Sequence, residues 1–377
     1  MAKKPREKVT TIQQERPRVE PRPYVPLDEV LGQDRAISAL LSPIASGRLH
    51  HAWVFHGPVG VGKFTTAMAF AGLLLDPGAS RDLSGRLSVD PASQTQHLIR
   101  AGLHPDLHII MKEMAAISRE ANIRSSKQTT IAKDVIDEFL IEPAARTRAI
   151  TGGSAAGKVF IIDEAELIDA RVQNSLLKLM EEPPPGTVII LVTASEERVL
   201  PTLRSRSQRV LFHTLPPTDM EKWLQRRDVE IEPAHRAWIL DFAAGSPGLA
   251  AAAIDNDLYE WHRVLGPMLE EVGAGRFSLE MGAALHQLVE ERASAVVKKH
   301  PDASKDGANK VWARRLFAFL AEETRRRMRQ AADRGGDEQG LGRSLKVLDA
   351  ISGAEQQLGA NVNMAMVMEN LAAQVVA

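Results

Sequence analysis

The chain has 377 residues, of which 44% are hydrophobic and 25% charged, a composition typical of a soluble globular protein of two or three domains. It contains no cysteine, which excludes disulfides, a thiol nucleophile and a thiolate metal site. The formal net charge of −1 excludes a global attraction to nucleic acid, so any such contact needs a local patch.

Residues 1–26 are rich in proline and charge and poor in large apolar side chains, which predicts a flexible tail. They contain no apolar core of a secretory signal, and no later stretch is apolar enough for a membrane helix. We therefore expect a cytoplasmic protein without membrane contacts.

Short apolar runs alternate with helical patterns over residues 27–215. Strands are predicted at 51–57, 106–111, 158–165 and 187–194. Helices are predicted at 63–75, with an apolar stripe, and within 169–186, between a capping Asp169 and the prolines 183–185. Buried strands separated by helices favour an α/β domain with a parallel sheet.

The stretch "GPVGVGKFTTA" (57–67) follows the first predicted strand and opens the first predicted helix. This context favours a phosphate-binding loop over a chance glycine-rich turn, because backbone N–H groups and a helix N-terminus converge on an anion. The candidate nucleotide-binding residues are Gly57, Pro58, Gly60, Gly62, Lys63, Phe64 and Thr65.

Phe64 departs from the loop pattern, which requires Ser or Thr after the lysine to hold Mg²⁺. Thr65 lies about 100° further around the helix and cannot simply replace the missing hydroxyl. Nucleotide binding through the backbone and Lys63 remains open, whereas metal-assisted hydrolysis is not expected.

Two further strand ends carry polar residues. "VFIIDEAELI" (159–168) brings Asp163 and Glu164 to the carboxyl edge of the sheet, where ligands bind in such folds. There, Asp163 would approach a metal and Glu164 would polarise a water. Thr193 ends the next strand and is predicted beside them. The following "PTLRSRSQ" carries closely spaced arginines, either a solvated turn or an arginine finger.

Residues after 215 show almost no strand signal. We predict a small helical domain at 216–270, beginning with a helix capped by Thr218 or Asp219, and a larger helical domain at 271–377. The basic stretch 323–334 is interpreted as a solvated helix face rather than a DNA contact. The apolar side chains within 312–323 are interpreted as core or subunit interface.

The segments "PLDEVLGQDRAISALLSPIASGRLHHAWVFHGPVGVGK", "NSLLKLMEEPPPGTVIILVTAS" and "LPTLRSRSQ" resemble bacterial clamp-loader subunits of the AAA+ superfamily, especially the delta prime family of DNA polymerase III subunits. The resemblance covers about residues 26–255. It implies an α/β then all-α fold: an AAA+ phosphate-loop domain, a helical lid and a C-terminal helical collar for oligomerisation.

The resemblance also implies partners and site roles. The partners would be motor and delta-type subunits in a hetero-oligomer, a sliding clamp and primed DNA, within a polymerase holoenzyme. Arg206 of "SRS" would reach into a neighbouring subunit's ATP site, and Thr193 would match a sensor position. ATP is the candidate cofactor.

Two departures weaken the case for hydrolysis and metal. Gly248 stands where hydrolysing relatives carry a sensor arginine, and the interval before "HPD" (104–106) lacks the family's zinc-binding cysteines. We therefore expect no zinc, and a non-hydrolysing subunit. The alternatives are an ATP-hydrolysing motor subunit or helicase loader, and an unrelated AAA+ protein that remodels other targets.

Overall fold

The computed structural model describes residues 24–81, 87–124, 130–150, 153–276, 278–301, 303–333, 335, 338–360 and 362–375. The predicted tail therefore lies outside the described residues as far as residue 23. The chain divides into two compact units, Met1–Asp219 and Met220–Ala377. The predicted further division at residue 270 stays a prediction.

A five-stranded parallel sheet forms the centre of the first unit, in the order β4-β5-β6-β1-β7. Its strands are β1 (Ala52–His56), β4 (Leu107–Ile110), β5 (Lys158–Ile162), β6 (Thr187–Thr193) and β7 (Gln208–Leu211). A separate two-stranded ribbon pairs β2 (Ser80–Arg81) with β3 (Leu87–Ser88). The four predicted strands are confirmed, whereas β7 was not predicted.

Helices cover both faces of the sheet, as the apolar strands predicted. In β1, Trp53 and Phe55 pack in one buried cluster, with α2, while Ala52 and Val54 pack in the other, with α7. The helices of this unit are α1 (Asp34–Ala45), α2 (Lys63–Leu75), α3 (Gln94–Arg100), α4 (Ala121–Arg124), α5 (Lys133–Ile136), α6 (Glu142–Ala145), α7 (Ala170–Glu181) and α8 (Pro201–Ser205).

Shorter helical turns connect these elements. A π-helical turn, Asp137–Ile141, joins α5 to α6. The 3-10 turns are Leu27–Glu29, Lys112–Ile117, Ala165–Leu167 and Glu196–Arg198.

Local signals set the bounds of α7. The Asp169 side chain accepts a hydrogen bond from the Arg171 backbone N–H, so it caps the helix as predicted. Val172, Leu176 and Met180 are buried on one face. The helix ends at Glu181, two residues before the first of three prolines.

The second unit is helical throughout its described residues. Helix α9 (Pro217–Arg226) spans the boundary between the units and begins before the predicted caps, because proline is well suited to the first helical position. It is followed by α10 (Pro233–Ala243), α11 (Pro247–Asp255), α12 (Leu258–Gly273), α13 (Met281–Lys299), α14 (Lys305–Asp333), α15 (Glu338–Gly359) and α16 (Met364–Gln374).

Helix α14 corrects one interpretation of the sequence. Arg325 and Arg329 are exposed, but Arg326 is buried beside a fully buried Glu323. Arg326 donates to Glu323 at 2.6 and 2.9 Å and to Asp241 at 2.7 Å. The basic stretch is thus not a uniformly solvated face. The apolar side chains Leu316, Phe319 and Leu320 are buried in the core, which is one of the two alternatives predicted for them, core or subunit interface.

The predicted α/β then all-α fold class is confirmed by the parallel sheet and the helical second unit. Within the part of the chain that the structure describes, we find no helix long and apolar enough to cross a membrane.

Candidate functional site

The predicted phosphate loop connects the end of β1 to the start of α2. Gly57, Gly60 and Gly62 all have positive φ angles, of 139°, 75° and 98°. A Cβ on Gly57 would lie 2.2 Å from the Phe212 carbonyl oxygen, so this turn requires glycine. The loop therefore places a helix N-terminus behind a glycine-rich turn, the arrangement that binds phosphate.

Lys63, the first residue of α2, lies folded inside this loop. Its Nζ donates to the Gly57 carbonyl at 2.7 Å and to the Pro58 carbonyl, and the residue is 6% exposed. Burial lowers the pKa of Lys63 to about 8, against the opposing charges of Glu166 and Asp163. The ammonium is thus positioned beside the loop and titrates near neutral pH.

No hydroxyl occupies the metal-binding position after Lys63. Phe64 is partly buried and packs against the cluster that contains Phe55 and Phe70. The hydroxyl of Thr66 donates to the Gly62 carbonyl at 2.9 Å and so serves the first turn of the helix. Thr65, between them, is partly buried. The loop can hold an anion, but its first turn lacks the usual ligand for Mg²⁺.

The acidic strand end lies at the carboxyl edge of the same sheet. The Asp163 backbone N–H donates to the Ile110 carbonyl at 2.9 Å, which extends the pairing of β4 with β5. Glu164 has a φ of 51°, and its Oε2 lies 2.6 Å from Lys112 Nζ. The carboxylate predicted to polarise a water is therefore engaged by a cation.

Lys112 was missed in the sequence because it is 52 positions from Glu164. Its only signal is that it follows β4, and the pairing becomes apparent once β4 is known to neighbour β5.

Glu166 and Thr193 connect the acidic segment to the end of β6. Glu166 Oε1 accepts from the Ala194 backbone N–H at 3.2 Å, and its charge raises the pKa of Lys63. Thr193 is buried, and its hydroxyl oxygen accepts from the Ser195 backbone N–H at 3.0 Å. Thr193 is also in register with His56, the residue before the loop. The predicted loop, acidic strand end and sensor position are therefore neighbours on one sheet edge.

A polar cluster next to the loop was not predicted. Glu196 Oε2 lies 2.9 Å from His56 Nδ1, and Glu196 Oε1 accepts from Arg209 Nη1 at 2.9 Å. Burial lowers the pKa of His56 below its usual value, and the neighbouring charge of Glu196 opposes this shift only in part. This cluster joins the end of β1 to the turn after β6 and to β7.

Arg206 lies apart from these contacts, just after α8. Its Nη2 lies 2.8 Å from Glu181 Oε1, and its Nη1 donates to the Thr202 carbonyl at 3.2 Å. Both side chains of the ion pair are exposed, by 41% for Arg206 and 49% for Glu181. The guanidinium is therefore exposed to solvent but engaged by two acceptors of its own chain.

Gly248 is the second residue of α11 in the helical unit, and it carries no side chain. The Ser246 side chain accepts from the Leu249 backbone N–H and caps this helix.

A buried polar network lies in the segment before residue 104, in which the sequence lacks the zinc-binding cysteines that the resemblance implies. Asp76 accepts from Ser93 Oγ at 2.6 Å, from Gln96 Nε2 at 3.0 Å and from the Gly78 backbone N–H at 2.9 Å. Gln96 in turn accepts from the Tyr24 hydroxyl at 2.5 Å. The described residues contain no group of His, Cys, Asp and Glu side chains suited to a metal ion.

Comparisons with known proteins find similarity to subunits of DNA polymerase III. Residues 32–216 match the family model described as DNA polymerase III, delta subunit. The chain is 30% identical to DNA polymerase III subunit delta' of Bacillus subtilis over 244 residues, 64% of each chain. It is 27% identical to subunit gamma/tau of Mycobacterium bovis over 232 residues, 60% of this chain and 36% of that one. The matched region therefore spans just under two thirds of the delta' relative and about a third of the gamma/tau relative.

Among solved structures, the chain resembles a DNA polymerase III, gamma subunit-related protein from Thermotoga maritima. The TM-score is 0.42 at 16% identity, covering 90% of this chain and 98% of that one.

Proposed function

We propose that the chain, whose residues 32–216 match the family model described as DNA polymerase III, delta subunit, is a non-hydrolysing, delta prime-type subunit of a clamp loader. In this role it joins ATP-hydrolysing and delta-type subunits in a cytoplasmic hetero-oligomer that loads a sliding clamp onto primed DNA. Its contribution to hydrolysis is Arg206, which acts on the ATP bound by a neighbouring chain.

The observation that carries this proposal is Phe64, which packs into the core at the position where a hydrolytic loop needs a hydroxyl. The ion pair of Glu164 with Lys112 supports it, because a carboxylate that contacts a cation is already engaged at the position where it would orient a water. Arg206 is also paired, with Glu181, but both side chains of that pair are exposed and the guanidinium is permanently charged. The chain thus offers a finger but an incomplete site of its own.

The loop itself is proposed to bind the phosphates of a nucleotide without relying on a metal. The backbone from Gly57 to Gly62 and the ammonium of Lys63 would supply the contacts. Asp163 and Thr193 lie at the same sheet edge, where they would face the terminal phosphate.

Replacement of Arg206 tests the finger. In a complex assembled with ATP-hydrolysing clamp-loader subunits and primed DNA, Arg206→Ala should slow hydrolysis at the neighbouring site by about 10³-fold, the effect of losing an arginine finger. Single-turnover ATP hydrolysis measures this rate.

Arg209→Ala is the matched control, since it removes another exposed arginine that binds Glu196. An unchanged rate with Arg206→Ala in a complex of normal composition would show that Arg206 is not the finger.

A further inference from the structure

The proposed finger is held on its own chain by two acceptors. Glu181 Oε1 lies 2.8 Å from Arg206 Nη2, and the Thr202 carbonyl accepts from Arg206 Nη1 at 3.2 Å. Thr202 precedes Arg206 by four residues, so the side chain folds back over its own short helix. Both terminal nitrogens of the guanidinium are therefore engaged within the chain.

The helices that carry Glu181 and Thr202, α7 and α8, are linked through hydrogen bonds of a buried glutamine side chain. Gln173 of α7 is 2% exposed and accepts from the Leu200 backbone N–H at 2.7 Å, while it donates to the Arg198 carbonyl at 3.1 Å. These bonds tie α7 to the segment that leads into α8.

The end of α7 is fixed separately. Met180 is buried, and its carbonyl shares a 2.8 Å hydrogen bond with His51 Nε2. Glu181, the next residue, therefore presents its carboxylate from an anchored helix end.

The pair itself is weak in water because both side chains are more than 40% exposed. A phosphate binds a guanidinium through two parallel, charge-assisted hydrogen bonds and carries more charge than a carboxylate. A phosphate in a dry interface would therefore replace Glu181, whereas solvent ions would only weaken the pair.

We propose that, in the free subunit, Glu181 holds the Arg206 side chain against its own chain, a state called stowing. A nucleotide phosphate on a neighbouring chain must take the place of Glu181 before the finger engages. This inference rests on the proposed finger function of Arg206. Glu181 acts through Arg206 and regulates the fraction of fingers that are engaged.

The isolated protein tests the stowing directly. The side-chain NMR signal of the Arg206 guanidinium, assigned with Arg206→Lys, should shift in Glu181→Gln and stay in place in Glu182→Gln. Glu182 is the matched control, one residue along, with no ion pair among the described contacts. A signal that does not respond to Glu181→Gln overturns the proposal.

The assembled complex tests the exchange. At low salt, Glu181→Gln should raise the kcat of ATP hydrolysis about two- to fivefold, the factor that a weak surface pair represents. The KM for ATP should not change, because ATP is bound by the neighbouring chain. The gain should vanish in the Arg206→Ala background and at high salt, where the pair is already screened.

The outcomes separate the two proposals. A lower or unchanged kcat with Glu181→Gln, together with a loss of rate in Arg206→Ala, overturns the stowing and leaves the finger in place. An unchanged rate in Arg206→Ala overturns the finger and, with it, the exchange. A gain from Glu181→Gln that persists in Arg206→Ala also overturns the stowing.

Discussion

Lys63 and Phe64 are neighbours in the chain but have different surroundings. The ammonium of Lys63 lies against the loop carbonyls of Gly57 and Pro58, whereas the Phe64 ring packs on the aromatic core beneath the sheet. Successive helical residues diverge by about 100°, so one points to the ligand side and the next to the core. This divergence explains how Lys63 can contact the loop while the residue after it contributes only apolar packing.

The low pKa of Lys63 predicts a pH-dependent nucleotide affinity. Below its pKa of about 8 the ammonium is charged and attracts phosphate, and as the pH rises above 8 this charge is lost in the free protein. The dissociation constant should increase about five- to tenfold between pH 7.5 and pH 9, as expected for a binding equilibrium linked to one proton. Calorimetric titration with a non-hydrolysable ATP analogue measures it.

Lys63→Met provides the control, because both proteins share the titration of the nucleotide itself. The variant should bind more weakly at pH 7.5 and show a flat profile. Parallel profiles for the two proteins would exclude Lys63 as the titrating group.

Site residues could be predicted from the sequence where the signal is local. The glycines and Lys63 stand in one stretch of seven residues, and Asp163 directly follows a strand. The partners of Glu164 and Arg206 could not be predicted, because Lys112 and Glu181 are distant in sequence and meet them only through the order of strands and helices. The contacts of both candidate side chains therefore required the structure.

Secondary-structure elements, like site residues, could be predicted from the sequence where their signal is local. Helix α7 was predicted because a capping Asp169, an apolar stripe and three prolines lie within one segment. Strand β7 was missed because it is a four-residue edge strand in which only Val210 is buried. Pairing with β1 makes it a strand, and that partner lies about 150 residues earlier. Edge strands carry little hydrophobic pattern of their own.

Helix α14 contains the charge cluster expected to matter most for the stability of the second unit. Burial raises the pKa of Glu323, but the neighbouring His262 and Arg326 outweigh it and lower the pKa to about 2. Glu323→Gln should reduce the free energy of unfolding by about 3 kcal/mol, since it breaks a buried ion pair. Urea unfolding followed by tryptophan fluorescence measures this loss, and Trp238 and Trp261 lie in this unit.

The sign of the pH dependence follows from the lowered pKa. The charged Glu323 stabilises the fold above pH 4.5, and this contribution is lost as the pH falls toward 2. The Gln variant should lack that part of the acid sensitivity. Glu260→Gln, which breaks an exposed pair with Arg263, should change the stability by less than about 1 kcal/mol. Equal losses in the two variants would contradict the role of burial.

At the scale of the molecule, the two departures from a hydrolytic site lie in different compact units. Phe64 belongs to the α/β unit and Gly248 to the helical unit. In the proposed function, Phe64 accounts for a missing metal ligand and Gly248 for a missing positive charge, since the loop pattern requires Ser or Thr and the family resemblance implies Arg at these positions. Two separate losses argue for a chain whose own loop is not hydrolytic, and against the alternative of a motor subunit.

Turnover by the isolated protein decides between these two functions. We expect the wild type to hydrolyse ATP more slowly than about 10⁻³ s⁻¹, the range of a phosphate-loop site that lacks a finger.

The double variant Phe64→Thr, Gly248→Arg regains a hydroxyl and a cation. It should therefore acquire Mg²⁺-dependent nucleotide affinity, yet it should still turn over slowly, because no neighbouring chain supplies an arginine. Wild-type turnover near 1 s⁻¹ would instead identify a motor ATPase. Mg²⁺-independent binding by the double variant would show that Phe64 is not the reason for the missing metal site.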